Sequence, residues 1–350
     1  MPMTSRERWR ACLDGRRPDR VPTDFWGTEE VLERLRKDLG VQSDIEIFDR
    51  LGIDRPFGVG ARRKVNHHPA DPEADIWGIR YRRVDYGSGS YNEGVTQPLA
   101  GAETPSDIKS FQWPDPADCT VDHIPGELAR AEGRWVSAGG YEPFLLYGRM
   151  RGLEKSFEDL MERPELAEAI LVRIFEYHYA VNRKVFEAGA GRIDMTCVAE
   201  DLGSQESLLM SPALYRKFLK ERQRAMIQLA KKFGMRVLYH SDGAVRPLIP
   251  DLIEIGIDIL NPLQWRCPGM ELDGLARDFG GAIAFHGGVD NQKTLPFGTP
   301  ADVREEVRRN LSIFRGRRYI LAPCHNIQPV TPTENILALY AAAGEFGGMS

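Results

Sequence analysis

Apolar runs alternate with helix-forming segments through most of this sequence, and that alternation constrains the fold more than any other feature. The clearest runs are 135–138, 193–198, 236–239, 257–260, 282–285 and 319–322. They are short and rich in aliphatic and aromatic residues, which is typical of buried strands. Strands that alternate with helices pack into a parallel sheet.

The segments between these runs carry clear helix start signals. Ser211-Pro212 supplies an N-cap and a first-turn proline for a helix that ends before Gly234. Thr299-Pro300 and Thr331-Pro332 open two more helices in the same way. Further helices are expected at 5–13, 28–39 and 43–51.

Two more apolar stretches, at 20–26 and near residue 145, raise the number of expected strands to about eight. The chain has 350 residues, which suits a (β/α)₈ TIM barrel. An open doubly wound sheet is the alternative, but no GxGxxG motif follows an early strand. We therefore expect an α/β protein in which residues 1–350 form one barrel domain.

Residues 57–113 differ from this pattern. They are rich in Gly, Tyr and Arg, with alternating polarity over 75–84 and turn-forming residues over 86–90. Such a pattern is typical of a β-hairpin. We expect this block to be a hairpin-rich insertion near the N-terminal side of the barrel, since it is too short and too polar to build its own core.

Composition excludes several classes of function. The net charge is −5, so there is no basic excess to meet a nucleic-acid backbone. The short arginine clusters at 16–17, 62–64, 308–309 and 315–318 are interpreted as solvated surface. No apolar run approaches the length of a membrane helix, and the charged first residues do not resemble a signal peptide. Five widely separated cysteines indicate a reducing, cytoplasmic location.

Polar residues follow five consecutive apolar runs directly. Because the active site of such a barrel lies at the carboxyl ends of its strands, these residues are expected to share one concave site. Glycines follow most of them and leave room for a ligand. The residues are Glu200 and Asp201, His240 and Asp242, Asn261 and Gln264, His286 and Asp290, and His325, Asn326 and Gln328.

His240 and Asp242 are two positions apart at a strand end, which places both side chains on one side. The pair suits two metal ligands, a histidine oriented by a carboxylate, or a structural hydrogen bond. His325, from the last strand, is expected to face the same site, with Cys324 in the wall because neighbouring strand residues point to opposite faces.

The remaining candidates have two interpretations each. Glu200 is either an acid–base or metal-binding carboxylate or a cap for the following turn. His286 either lines the site or caps its strand. Tyr147 and Arg149 end the stretch near 145, where the arginine either binds a substrate carboxylate or phosphate or forms a salt bridge at the rim.

At these residues the sequence resembles the uroporphyrinogen decarboxylase superfamily, particularly its corrinoid-dependent methyltransferase branch. The resemblance spans nearly the whole chain, and its motifs are specific as a set. It is strongest at 240–250, 258–262, 287–290 and 325–329, and it extends to 17–22, 75–78, 113–116, 200–203 and 211–215.

The resemblance implies a barrel with a deep pocket at its carboxyl face. Decarboxylases of the superfamily carry an arginine-rich N-terminal loop that binds the carboxylates of the tetrapyrrole, and the matching stretch here, 23–27, has no arginine. Porphyrinogen decarboxylation is therefore not expected. The thiol-methylating members bind zinc through His-x-Cys and a later Cys, whereas this chain has Asp242 and His325 at the two cysteine positions.

His240, Asp242 and His325 are thus expected either to keep zinc with harder ligands or to act as acid–base and binding groups. The loss of sulfur ligands favours an acceptor such as tetrahydrofolate over a thiol. The corrinoid is expected on a separate carrier protein, since the chain has no DxHxxG motif. A homodimer is a further expectation.

Three functions follow from these observations. The first is methyl transfer between a methylated substrate or carrier corrinoid and an acceptor. It uses His240, Asp242, His325 and Glu200 for catalysis, and its substrate-binding residues are Asn261, Gln264, His286, Asp290, Asn326, Gln328, Tyr147 and Arg149. The second is decarboxylation or hydrolysis of a small carboxylate held by Arg149 or Arg246. The third is a non-catalytic subunit of a corrinoid system.

Overall fold

The strands of a computed structural model, which describes residues 2–87 and 89–348, fall into three sheets. The strands are β1 (Phe57–Val59), β2 (Arg62–Arg63), β3 (Tyr81–Asp85), β4 (Ser90–Gly94), β5 (Cys119–Thr120), β6 (Val136–Ala138), β7 (Met195–Ala199), β8 (Arg236–His240), β9 (Ile259–Asn261), β10 (Ala284–Val289) and β11 (Tyr319–Pro323). Seven of them form a curled parallel sheet in the order β1-β6-β7-β8-β9-β10-β11.

Residues 20–27 take the eighth position of the barrel. Thr23 pairs in parallel with Leu321 of β11, and the backbone N–H of Asp24 donates to the carbonyl of Leu321 at 3.0 Å. On the other side, the N–H of Asp54 donates to the carbonyl of Thr23 at 2.9 Å, just before β1 begins. This segment therefore joins the two edges of the sheet, and the predicted (β/α)₈ barrel is confirmed.

The predicted strand near residue 145 is wrong, because this stretch is helical. The helix Pro143–Arg151 has proline at its first position, where the missing N–H costs nothing. A short apolar run fits a buried helix as well as a strand, and periodicity alone does not separate them. The barrel takes its second strand from β1 instead, so Phe57–Val59 belongs to the barrel and not to the insertion.

The helices are α1 (Ser5–Leu13), α2 (Glu29–Leu39), α3 (Asp44–Leu51), α4 (Pro105–Ser110), α5 (Ile124–Arg130), α6 (Pro143–Arg151), α7 (Leu153–Glu162), α8 (Pro164–Gly189), α9 (Pro212–Tyr215), α10 (Glu221–Lys232), α11 (Ile249–Ile255), α12 (Leu272–Phe279), α13 (Thr294–Phe297), α14 (Pro300–Ile313) and α15 (Thr333–Phe346). Short 3₁₀ turns occupy Pro116–Asp118 and Arg246–Leu248. A π-helical turn over Arg216–Lys220 joins α9 to α10, so the predicted helix from 212 is continuous. The Ser211 hydroxyl accepts from the N–H of Leu214, which confirms the predicted cap.

The predicted hairpin is present in the insertion. Strands β3 and β4 pair antiparallel from Tyr81 opposite Gly94 to Asp85 opposite Ser90. Of the turn predicted at 86–90, Ser88 lies outside the described residues. Strand β2 pairs antiparallel with β5, which ties the start of the insertion to the segment that follows it.

Helix α1 closes the amino-terminal end of the barrel. Trp9 of this helix is fully buried and stacks on Trp135, with ring centroids 5.7 Å apart. It packs with one inward-facing side chain from each of several strands, namely Met195, Leu238, Ile259, Ala284 and Ile320. The barrel interior is therefore filled by apolar side chains at its amino-terminal end.

Among the described residues, every helix is too short or too polar to cross a membrane. The five cysteines are unpaired.

Candidate functional site

His240, Asp242 and His325 meet at the carboxyl end of the barrel. His240 is the last residue of β8, and His325 follows the end of β11. Nε2 of His240 lies 4.0 Å from Oδ1 of Asp242, and Nε2 of His325 lies 3.8 Å from Oδ2 of the same carboxylate. The three donor atoms lie within 4.8 Å of one another, close enough for one metal ion to contact all three.

One oxygen of the Asp242 carboxylate receives no hydrogen bond from the residues that the structure describes. Oδ1 is buried and accepts no hydrogen bond from any described residue. Burial raises the pKa of this carboxyl, and nearby Asp201 raises it further, whereas His325 and His240 lower it. A buried oxygen without a partner is costly unless a cation or donor occupies the space beside it.

A buried chain of hydrogen bonds runs from His240 to Asp24. Nδ1 of His240 lies 2.6 Å from Oδ1 of Asn261, and Nδ2 of Asn261 lies 2.7 Å from Nδ1 of His286. Nε2 of His286 lies 3.0 Å from Oδ2 of Asp24. All four side chains are buried.

The direction of these bonds follows from the Asp24 carboxylate, which can only accept. His286 therefore donates through Nε2, and its Nδ1 accepts from the Asn261 amide nitrogen. The Asn261 amide oxygen then accepts from Nδ1 of His240. With the single ring proton on Nδ1, Nε2 of His240 carries a lone pair that faces Asp242, as a metal ligand requires.

Asp24 is held in its charged form. Burial alone would raise the pKa of this carboxyl, but Arg55 and the bond from His286 hold it down to about 2. The N–H of Phe25 and the Trp26 indole also donate to it, at 2.7 and 2.9 Å. The sequence analysis missed Asp24; its signal was a lone carboxylate inside the apolar run 20–26.

Trp26 contacts both histidines of the candidate site. Its ring stacks on His240 with centroids 5.4 Å apart and meets His325 edge-on at 6.3 Å. The indole N–H is already bonded to Asp24. The tryptophan therefore fixes the plane of the His240 ring while its own position is fixed by Asp24.

Of the two adjacent carboxylates predicted at this site, Asp201 faces it and Glu200 does not. Oδ1 of Asp201 lies 3.9 Å from Nε2 of His240 and accepts from the N–H of Asp242 at 3.1 Å. The Glu200 oxygens accept from the first N–H groups of α6, those of Phe144 and Leu145, at 2.6 and 3.0 Å. Glu200 therefore caps a helix, a correction to the catalytic role expected for it.

Glu142 is a second residue that the sequence analysis missed. It precedes α6, and burial followed by the charge of Asp201 raises its pKa, while His240 and Arg149 lower it. Glu142 and Asp201 therefore both interact electrostatically with His240, and the pKa of Glu142 is raised above its usual value.

Other predicted binding residues have structural partners. Oε1 of Gln264 accepts from the N–H of Gly243 at 2.6 Å and so shapes the turn after Asp242. Asp290 accepts from Arg266 at 2.6 Å and from the N–H of Gln292 at 2.9 Å. Asn261 and His286 belong to the buried chain. These four side chains support the site from behind.

Asn326 and Gln328 lie half-buried beyond β11, and Gln328 donates to the Asn326 carbonyl at 3.1 Å. Cys324 is buried in the wall, as predicted, and its Sγ lies 3.0 Å from the Leu263 carbonyl.

Tyr147 lies away from the open carboxyl end of the barrel, which we call the mouth. Its buried hydroxyl donates to Asp159 at 2.8 Å, and this contact corrects its predicted binding role. Arg246 pairs with Asp278 and donates to the carbonyl of Gly269, so it is not free to bind an anion. Arg149 is exposed and forms no ion pair with a carboxylate in the described ranges.

Comparisons with known proteins agree with this architecture. A family model described as "Uroporphyrinogen decarboxylase (URO-D)" matches residues 131–346. A uroporphyrinogen decarboxylase of Prochlorococcus marinus is 32% identical over 259 residues, which cover 71% of this chain and 69% of that protein.

A methylcobamide:CoM methyltransferase of Methanosarcina barkeri is 27% identical over 209 residues, or 59% of this chain, and the match spans only 58% of that protein's length. A solved structure, "methyltransferase from Methanosarcina mazei", shares the fold with a TM-score of 0.69 at 20% identity, over 98% of this chain and 99% of the other. Because the family model covers well over half of the sequence, the chain belongs to the uroporphyrinogen decarboxylase family.

Proposed function

We propose that this protein is a methyltransferase that moves a methyl group between a corrinoid on a carrier protein and a small acceptor. The observation that carries the proposal is the unpartnered buried oxygen of Asp242, which lies beside the Nε2 atoms of His240 and His325. Two imidazoles and a carboxylate form a donor set that binds zinc and other divalent ions.

The donor set fits a resident ion on two counts. The buried chain leaves Nε2 of His240 facing Asp242, and Oδ1 of that carboxylate is buried without a hydrogen bond from any residue that the structure describes. When bound there, a divalent ion would act as a Lewis acid that lowers the pKa of an acceptor group. The replacement of two family cysteines by Asp242 and His325 makes the site harder, which favours an acceptor such as tetrahydrofolate over a thiol.

The transfer breaks the bond between the methyl carbon and cobalt, and both bonding electrons stay on cobalt. The acceptor's lone pair forms the new bond to carbon, and the acceptor loses a proton. We assign that proton to the carboxylates of Asp201, which lies 3.9 Å from Nε2 of His240, and of Glu142, whose charge interacts with that histidine. A carboxyl with a raised pKa is a better proton acceptor near neutral pH than an ordinary one.

The mouth of the site suits a substrate that approaches from solvent. The side chains of His325 and Asp242 are 34% and 27% exposed, so both remain accessible. Asn326, Gln328 and the exposed Arg149 are proposed to bind polar groups of the acceptor or the docked carrier. Asn261 and His286 are assigned a positioning role behind His240.

Decarboxylation of a small carboxylate is the second candidate, and Arg149 favours it. An exposed guanidinium near Glu142, without an ion pair in the described parts of the chain, can bind an anion. The segment 23–27 supplies no arginine, so the carboxylate binding expected of a porphyrinogen site has no counterpart there.

Metal content and methyl transfer test the proposal together. We expect one equivalent of a divalent ion in the purified protein, retained in the exposed-histidine control His67→Ala and lost in His325→Ala.

Methylcobalamin incubated anaerobically with the metal-loaded protein should lose its methyl group to tetrahydrofolate. Failure with both tetrahydrofolate and thiols would refute methyl transfer, and intact cellular function in His240→Ala and His325→Ala would favour a non-catalytic subunit.

A further inference from the structure

A cavity of about 730 Å³ lies at the end of the barrel opposite to the candidate metal site. Its walls come from the turn after α1, the turn between α14 and β11, and the residues after α15. Residues 15–18 lead into the strand-like segment 20–27, and residues 315–318 lead into β11. Both turns therefore stand at the amino-terminal ends of barrel strands.

The cavity is strongly basic. None of the lining residues that the structure describes is an Asp or Glu. Arg16 pairs with Asp14 at 3.0 Å and Arg308 with Glu305 at 2.6 Å, both from outside the lining. The arginines around the cavity are Arg16, Arg17, Arg308, Arg315, Arg317 and Arg318.

Four of these guanidinium groups form no ion pair with a carboxylate of residues 2–87 or 89–348. Arg17, Arg315 and Arg317 are exposed, and Arg318 is half-buried and donates to the carbonyl of Gly281 at 3.0 Å. Arginine clusters 300 positions apart looked like solvated surface in the sequence, but the fold places them around one space. Like charges that share a recess attract a polyanion.

The floor of the cavity is apolar. Val21, Phe314 and Tyr319 are buried there, and Leu311 and Phe346 are half-buried beside them. Guanidinium groups bind phosphate oxygens through two parallel hydrogen bonds, and the volume is in the range of small-molecule sites. A ligand that matches both surfaces combines several negative charges with an apolar ring.

We propose that this cavity is a binding site for a nucleotide, with its phosphates on the arginines and its ring against the apolar floor. The site is independent of the methyl-transfer proposal, because it shares no residue with the mouth of the barrel.

Titration calorimetry with the full chain tests this site, with ATP and inorganic tripolyphosphate as probes at low ionic strength. We expect ATP to bind, and we expect the double variant Arg315→Gln/Arg317→Gln to weaken its binding at least tenfold. The matched control is Arg183→Gln/Arg277→Gln, which removes the same charge from two exposed arginines outside the cavity. The control should bind ATP within twofold of the unaltered chain, and 0.5 M NaCl should weaken ATP binding to both.

Absence of ATP and tripolyphosphate binding at millimolar concentration would overturn the proposal, as would equal ATP affinity in the two double variants. Tripolyphosphate that binds as tightly as ATP would overturn the assignment of the ring to the apolar floor. Thermal unfolding and metal content, measured on both variants, verify that the fold and the opposite face are intact.

Discussion

Nδ1 of His240 lies 2.6 Å from Oδ1 of Asn261, and this contact couples the mouth of the barrel to its interior. The amide nitrogen of Asn261 donates to Nδ1 of His286, and His286 donates in turn to an Asp24 carboxylate that stays ionised. A charge buried in the first strand-like segment thus determines which nitrogen of His240 faces the site. Such partners behind a ligand commonly orient it and tune its basicity.

Replacing Asn261 by leucine should lower metal affinity about 10- to 100-fold, because His240 loses the partner that fixes its tautomer. A competition titration with a chelator measures this loss. The control is Asn310→Leu, which removes another buried amide, one that donates to the carbonyl of Gly288. Both variants should lose about 1–3 kcal/mol of unfolding free energy, but only the first should lose metal affinity. Equal metal affinity in the two variants would argue against the positioning role.

Asp242→Asn should abolish metal binding and stabilise the metal-free protein by about 0.5–2 kcal/mol. The substitution removes a half-buried carboxyl group whose Oδ1 is buried and has no donor among the described residues. Urea unfolding in the presence of a chelator measures the effect, with exposed Asp122→Asn expected to change stability by less than about 0.5 kcal/mol. A metal-free Asp242→Asn protein less stable than the unaltered chain would contradict this account.

Glu200 should make the unfolding free energy depend on pH in a defined direction. Burial is the main cause that raises the pKa of this carboxyl well above its usual range, with a further contribution from Glu142, while the N–H of Phe144 lowers it. The unfolded chain therefore releases its proton first, at about pH 4.3. The group's contribution to stability is largest below that pH and falls as pH rises toward the folded-state pKa.

The measurement is the difference in unfolding free energy between the unaltered chain and Glu200→Gln across that pH window. We expect the difference to shrink as pH rises, and a difference that grows with pH would disprove the assignment. Metal affinity should be unchanged in this variant, because both Glu200 oxygens bond to the start of α6.

Tyr147→Phe should cost about 0.5–1.5 kcal/mol of stability and leave metal affinity unchanged. The hydroxyl it removes donates to Asp159, which forms a buried ion pair with Arg151 at 2.7 Å. Asp159→Asn breaks that ion pair and should cost about 3–5 kcal/mol. Urea unfolding ranks the two variants, and a loss of metal or substrate binding in Tyr147→Phe at full stability would restore its predicted role in the site.

Gly243→Ala should disrupt the turn that carries Asp242. Gly243 has φ +82°, and a Cβ there would lie 2.3 Å from the carbonyl oxygen of Ser204 and 2.6 Å from that of Gly203. Strain and overlap together should cost about 2–5 kcal/mol and weaken metal binding. Gly234→Ala is the control, because Gly234 has a similar φ of +73° in open space, so it should cost only about 1–2 kcal/mol. Similar losses in the two variants would show that the close backbone approach is unimportant.

The sequence by itself determined the barrel, the positions of helices α1, α2, α3 and α14, and the cluster of His240, Asp242 and His325. These features depend on local information: strand and helix periodicity, N-caps such as Ser211, and the rule that strand ends share one face. The hairpin after β2 was predictable for the same reason. A short apolar run carries less information, and the stretch near 145 was therefore assigned to the wrong element.

The tertiary structure alone decided where each carboxylate points and which distant groups meet. Asp24 reaches His286 across 262 positions, Asp201 rather than Glu200 faces His240, and two arginine clusters from opposite ends of the chain share a cavity. The physical reason is that hydrogen bonds and charge pairs depend on distances between side chains on different elements. The pattern along one element fixes its own faces, but only the closed barrel sets which faces lie opposite one another.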